Sequence, residues 1–260
     1  MIFQVDYHFH PNLPSNPQEA LAKCQSWWQA LKKAGINAII VTEHVYKNPQ
    51  TAYRLMLQTK PDDCYVFPGM EYLTKENIDL VIFSDNDQFF QADQLLPYEL
   101  SLEKAIDFVQ QNNLAAYIPH PFTVGNTSPI KKLGKTKLKK LIDKLGAVEI
   151  TNCCFNNLLD ILNVWPYRDL FSRHITQMKK VRNLPTEFYP EKIKFLAVSS
   201  DSHHLEEVGP HVEIECQPDQ LYQAIINNQQ PKIVIPKKSF NLKLLFKSIR
   251  TALSEYFAKK

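Results

Sequence analysis

The chain has 260 residues and a mass of 30.2 kDa, the size of one large domain or of a domain with an appendage. Hydrophobic residues at 44% and charged residues at 22% exclude a disordered chain, a collagen and a coiled coil. The net charge of +3 is too small to imply a nucleic-acid surface, and the 6 glycines form no phosphate-cradling loop of the Walker or dinucleotide kind.

In chain order, Ile2–Tyr7 reads as a short apolar strand. Pro17 opens a helix to Lys33, because Ala20, Leu21, Cys24, Trp27, Trp28 and Leu31 recur at helical steps, and Gly35 stops it. Ile36–Val41 is an apolar run of strand length, and Gln50–Gln58 is helical. Cys64–Pro68 and Ile78–Phe83 are strands, Leu102–Gln111 a helix, and Leu114–Ile118 a strand. Thr136–Leu145 forms a basic helix and Ala147–Ile150 a strand. Phe155–Leu162 and Arg168–Val181 are helical, and Lys194–Val198 is a strand. Pro218–Asn228 is a helix, Ile233–Ile235 a short strand, and Phe240–Phe257 a closing helix. Alternating strands and helices favour parallel strands with crossover helices, and the fully apolar strands suit a sheet covered on both faces. A closed or nearly closed β/α barrel is the expected architecture.

The five cysteines, Cys24, Cys64, Cys153, Cys154 and Cys216, are odd in number and contain no C-x-x-C pair. They imply a reducing, cytoplasmic setting without a disulfide framework, and they exclude zinc ribbons and fingers. The apolar runs are too short to cross a bilayer, and Met1–His10 lacks the features of a secretory signal. Of the basic residues only Arg54, Arg168, Arg173, Arg182 and Arg250 are arginine, so a phosphate clamp would use lysine point charges.

Chemistry-bearing residues follow the predicted strands. Ile2–Tyr7 runs into His8 and His10, Ile36–Val41 into Glu43 and His44, and Cys64–Pro68 into Glu71. Leu114–Ile118 runs into His120, Ala147–Ile150 into Asn152 and Cys153, and Lys194–Val198 into Asp201, His203 and His204. Singly, each has a plain structural explanation: a satisfied buried histidine, a capped turn, or the polar start of a helix. Together they put metal ligands on the one face of a parallel barrel where active sites are built. His174 and His211 lie off this pattern and read as structural.

The ordered motifs His8-x-His10, Thr42-Glu43-His44, Gly69-Met70-Glu71, Pro119-His120-Pro121, Glu149-Ile150-Thr151-Asn152 and Ser200-Asp201-Ser202-His203 resemble the polymerase and histidinol phosphatase (PHP) superfamily. So does a helix over His204 and Glu206-Glu207-Val208-Gly209. The resemblance covers His8 to Gly209. It implies a distorted (β/α)7 barrel, two or three divalent metal ions, and hydrolysis of phosphate esters. Carried over, His8, His10, Glu71 and Asp201 hold a first metal, and Glu71 bridges to a second held by His120. His44 and His203 hold a third. Asp201, His44 and His203 are the catalytic candidates. Imidazole and carboxylate donors suit Mn, Zn or Fe, and a bridging carboxylate spaces two cations by ~3.5–4 Å. Ser15 and Asn16 stand where many relatives have a further third-site ligand. Ser84-Asp85-Asn86-Asp87 stands where some have a histidine after the next strand.

Other features have two readings. Glu43 is either a partner orienting His44 or His10, or a solvated charge. Cys153 and Cys154 are either thiolate ligands or small buried cysteines. The stretch Lys131–Lys140 holds six lysines. It is either the solvated face of a helix or a funnel for an anionic substrate, with Lys75, Lys131 and Lys132 as phosphate contacts. Residues 1–236 form the expected barrel and 237–260 a basic amphipathic helix, with Leu242, Leu245, Ile249, Leu253 and Phe257 on one stripe. That stripe would pack on the barrel or on a second copy of the chain, giving a homo-oligomer, in preference to a membrane.

The expected activity is attack of a metal-bound hydroxide on a small phosphorylated substrate, of histidinol-phosphatase-like or nucleotide-phosphatase type. The alternatives are an exonuclease or phosphodiesterase on nucleic acid and a non-catalytic metal- or phosphate-binding module.

Overall fold

The structure is a computed structural model that describes residues 1–123, 127–153, 159, 162–163, 167–235, 246–247 and 250. Nine strands are described: β1 (Ile2–Phe9), β2 (Ala38–Val41), β3 (Tyr65–Leu73), β4 (Asp79–Phe83), β5 (Ala115–Tyr117), β6 (Ala147–Asn152), β7 (Phe195–Ser199), β8 (His211–Glu215) and β9 (Lys232–Val234). The described helices are α1 (Pro17–Lys33), α2 (Pro49–Gln58), α3 (Leu102–Gln111), α4 (Pro129–Leu145), α5 (Tyr167–Leu170), α6 (Ser172–Arg182) and α7 (Leu221–Ile226). None of the described helices is long and apolar enough to cross a membrane.

The sheet order is β5-β4-β3-β2-β1-β8-β9, curled into half a barrel, with β6 and β7 as a separate parallel pair. Isolated bridges, Ile118 to Val148 and Phe9 to Ser202, bring that pair against β5 and β1. The expected closed (β/α)7 barrel is therefore corrected to an open one. β1, β2 and β3 are parallel, but β4 is antiparallel to β3 and β5 antiparallel to β4. The physical reason is the five-residue link between Leu73 and Asp79, which makes a hairpin and is far too short for a crossover helix. β8, which apolar runs did not announce, pairs antiparallel with the first half of β1.

Local chemistry explains α1. Asn16 Oδ1 accepts from the backbone N–H groups of Gln18 and Glu19, Pro17 occupies the first turn, and Gly35 takes φ +80° at the exit. Ala20 is buried, and Cys24, Trp27, Trp28 and Leu31 on the same helix pack with Ile39, Val41 and Met56 in a core beneath α1 and α2. Phe3, Val5, Tyr7, Ala38 and Ile40 belong to the main core instead.

The change of side along β1 positions the site. Its pairing with β2 shifts register between Asp6 and Phe9. Tyr7 lies in the main core, whereas Phe9 packs edge-on against Trp27 with ring centroids 4.8 Å apart. The extra residue therefore resets the alternation, so that His8 and His10, opposite Phe9, face the side of the main core that Tyr7 faces. At Gly69 in β3 a Cβ would stand 2.9 Å from Ile40 Cγ2 and 3.0 Å from the Val41 carbonyl oxygen. Only glycine lets β3 approach β2 there, two residues before Glu71.

α4 begins at Pro129, ahead of the expected Thr136, and is broken at Gly134. Most of its lysines are surface ion pairs: Lys135 with Glu187 at 3.2 Å, Lys137 with Glu103 at 2.9 Å, and Lys139 with Asp143. The segment after Asp201 is a turn and not the expected helix. Glu207 caps it by accepting from the backbone N–H groups of His203 and His204, and Pro210 and β8 follow at once. The apolar stripe of the expected C-terminal helix, most of the expected helix Phe155–Leu162, and Cys154 lie outside the described residues.

Candidate metal centre

His8 and His10 leave the end of β1, His44 follows β2, Glu71 lies within β3, His120 follows β5, and Asp201 and His203 follow β7. The structure brings all seven together, and all but His203, which is half-buried, are buried. His8 Nε2 and His10 Nε2 are 2.9 Å apart. Asp201 Oδ1 lies 3.3 Å from His10 Nε2 and 3.7 Å from His8 Nε2. These separations suit neighbouring ligands of one cation with bonds of about 2.0–2.1 Å.

Glu71 stands at the centre. Its Oε1 is 3.2 Å from His120 Nε2 and its Oε2 is 2.5 Å from His44 Nδ1. The Pro68-Gly69 pair before it is not a turn but part of β3, and a bridge between His44 and Glu71 carries the sheet one step past β2. His10 is flanked by the rings of His44 and His203, each with its centroid 4.4 Å away.

Among the described residues, three trios could hold a metal ion: His8, His10 and Asp201; His10, His44 and His203; and Glu71, Asp79 and His120. Within each, the candidate ligand atoms lie within 4.8 Å of one another. Nε2 is the His120 ring nitrogen that faces Glu71, while its Nδ1 is buried without a hydrogen bond. Borderline imidazole and hard carboxylate donors fit divalent transition metals, so the residues present fit the group that the resemblance implies.

A second layer of groups holds the first. The Glu149 carboxylate accepts from His8 Nδ1–H at 3.3 Å, Ser199 Oγ–H at 2.5 Å, Asn152 Nδ2–H at 2.9 Å and the His120 backbone N–H at 2.6 Å. It thereby fixes the His8 tautomer and turns Nε2 to the cluster. Asn152 also donates to Asp201 Oδ2 at 3.1 Å. Glu43 is buried and not solvated: it faces His10 Nδ1 at 3.5 Å and accepts the backbone N–H of His44 at 3.1 Å and of Asn12 at 2.6 Å. Trp27 Nε1–H donates to the Pro11 carbonyl at 2.8 Å and pins the loop beyond His10. His120 and Asp201 take φ +30° and +48°, left-handed conformations uncommon outside glycine and asparagine. Such strain concentrates at functional sites.

The electrostatics follow from crowding acids and imidazoles out of water. Burial disfavours protonated His8, yet Asp201, Glu149 and Glu71 outweigh it and push its pKa up to about 10. Burial also works against ionised Asp201, but His8, His10 and His203 hold its carboxyl well below the usual range. Burial and the neighbouring His203 and His44 drive His10 downward. Burial opposes the charged form of Glu43, but contact with His10 holds its pKa down to about 2.

Other residues fall elsewhere. Cys153 is buried at the end of β6 but belongs to none of the trios. His204 is in none of them either. His211 opens β8 with Nδ1–H donated to the Gly209 carbonyl at 2.7 Å. Lys75, Lys131 and Lys132 are exposed, and Lys132 Nζ donates to the Glu76 carbonyl, tying the start of α4 to the β3–β4 hairpin. Because β4 runs down from the cluster, Ser84-Asp85-Asn86-Asp87 lies at the opposite end of the sheet. There Ser84 and Asp85 line a 950 Å³ cleft with Phe108, Lys194 and Tyr222, and Asp87 pairs with Arg54 at 3.2 Å.

No family model matches the sequence, and no curated protein does. The fold is similar to that of PsfC from Pseudomonas syringae PB-5123, at 17% identity and a TM-score of 0.61, over 97% of this chain and 99% of that one. It is also similar to the lesion-specific endonuclease PfuEndoQ from Pyrococcus furiosus, at 13% identity and a TM-score of 0.53. That match covers 90% of this chain and 58% of the endonuclease, so the chain spans little more than half of that protein. Both are likenesses of fold.

Proposed function

We propose that the chain is a metal-dependent phosphoesterase that hydrolyses a small phosphate monoester, histidinol-phosphatase-like or nucleotide-phosphatase-like. The observation that carries this reading is the Glu71 carboxylate, with one oxygen beside His120 and the other beside His44, as a group shared between cation sites must lie. When bound, the cations neutralise phosphoryl charge and acidify coordinated water toward a pKa of about 7. The burial of the ligands would favour a slender terminal phosphate over the middle of a polymer.

The chain's own residues set the geometry and move the proton. Asn152 holds Asp201, and Glu149 holds His8, so neither ligand swings as charge develops. His203 donates Nδ1–H to the Asp201 carbonyl at 3.1 Å, which directs proton exchange to its Nε2. When the His10–His44–His203 trio holds no cation, His44 or His203 would give the leaving oxygen its proton.

A second reading is a phosphodiesterase acting on nucleic acid, which the fold likeness to PfuEndoQ favours. Phosphate release in Mn²⁺, with and without chelator, tests both. The substrates are histidinol phosphate, nucleoside 3′,5′-bisphosphates, sugar phosphates and a short oligonucleotide. Chelator-sensitive release from one monoester supports the first reading. Oligonucleotide cleavage with no monoester turned over replaces it with the second. Asp201→Asn should abolish turnover and leave the circular dichroism spectrum unchanged; retained turnover would remove Asp201 from the machinery.

A further inference from the structure

We propose that Asp79 is a metal ligand that completes a carboxylate-rich cation site with Glu71 and His120, and that this site holds Mn²⁺ where the His10–His44–His203 trio holds Zn²⁺. The inference rests on the metal-centre reading above and adds a residue and a selectivity to it.

Asp79 is the first residue of β4, and its backbone pairs with Leu73 while Val81 pairs with Glu71. Residues two apart on a strand share a face, so Asp79 and Glu71 project to the same side of the hairpin. His120 reaches that side from the end of β5, and the ligand atoms of the three lie within 4.8 Å of one another. Ligands of one cation span about 3–4.2 Å when each bond is about 2.1 Å, so small side-chain rotations close the set. Asp79 is buried beside the other two ligands, on the inner side of the hairpin. His120 presents Nε2 to the site, 3.2 Å from Glu71 Oε1.

The two outer trios differ in donor chemistry. Glu71, Asp79 and His120 present two carboxylates and one imidazole, whereas His10, His44 and His203 present three imidazoles. Any nitrogen or oxygen site binds Zn²⁺ more tightly than Mn²⁺, but the margin shrinks as hard oxygen donors replace imidazole. The carboxylate-rich site is therefore the last from which Zn²⁺ displaces Mn²⁺.

The test uses the full chain, stripped of metal, reloaded with Mn²⁺ alone and titrated with Zn²⁺, with released Mn²⁺ read by electron paramagnetic resonance. The wild type should release Mn²⁺ in two phases, the second only at excess Zn²⁺. Asp79→Asn should lose the second phase and weaken one Mn²⁺ equivalent by more than about 100-fold, beyond what loss of a supporting partner does. Asp79→Ser provides the same comparison should Asn disturb the fold, judged by thermal melting. Release in a single phase from the wild type overturns the selectivity, and an unchanged second phase in folded variants overturns the role of Asp79. A wild type that binds no cation overturns the metal centre itself, an outcome distinct from these.

Discussion

His8 and Glu149 form a buried pair, with Nδ1–H of the imidazole 3.3 Å from a carboxylate oxygen that also accepts from Ser199. The Glu149 carboxylate also holds Asn152 and the His120 backbone N–H, so its effect on metal passes through the His8 tautomer and the placement of Asn152 and His120. Glu149→Gln should lower metal affinity by about 10–100-fold and leave the stoichiometry at saturation unchanged. Chelator competition followed by metal analysis checks both numbers.

The raised pKa of His8 makes metal uptake a proton exchange. With a pKa pushed up to about 10, His8 is protonated at neutral pH in the metal-free protein and must lose that proton to ligate. Affinity for the cation it binds should therefore rise by about tenfold per pH unit between pH 7 and 9 from this group alone. Calorimetry in buffers of different ionisation enthalpy should show proton release, and His8→Ala should remove it. Uptake without proton release would contradict the buried, carboxylate-flanked setting of the ring.

Asp6 offers a stability test outside the ligand set. Burial raises its pKa to about 7, against hydrogen bonds from Ser200 and the His8 backbone. The folded state keeps this proton up to about pH 7, while the unfolded chain releases it near the model-peptide value of 3.8. Between these pH values the folded state binds more protons, so stability falls as pH rises and levels off above 7. The loss is roughly 4 kcal/mol at about 1.4 kcal/mol per unit. Asp6→Asn mimics the protonated acid and should flatten this slope in thermal melts of metal-free protein.

Lys131 and Lys132 test the funnel reading of the basic segment. They lie at the start of α4, beside the hairpin whose strands carry Glu71 and Asp79, while lysines further along the helix are engaged in surface pairs. Lys131→Glu with Lys132→Glu should raise KM for a phosphorylated substrate several-fold, leave kcat unchanged, and lose its effect at high salt. A KM unchanged at low salt would leave these lysines as a solvated face.

Much of the site was legible in the sequence because short motifs after apolar runs survive any uncertainty about boundaries. The bounds of α1 and α3 and the clustering of His8, His10, His44, Glu71, His120, Asp201 and His203 needed only periodicity and the rule that parallel strands share one functional end. The tertiary structure alone decided strand direction and side. A five-residue hairpin turns β4 over, so the start of that strand, not its end, reaches the cluster; this brings in Asp79 and removes Asp85 and Asp87. The bulge in β1 decides that His8 and His10, opposite Phe9, face the side that Tyr7 faces. Glu149 gains its role from four donors on three other elements or loops and on its own strand, a convergence no one-dimensional pattern records. Residue types and spacing establish which chemistry is available, but a β-strand's period of two means that one extra residue or one reversed strand decides which side chains meet.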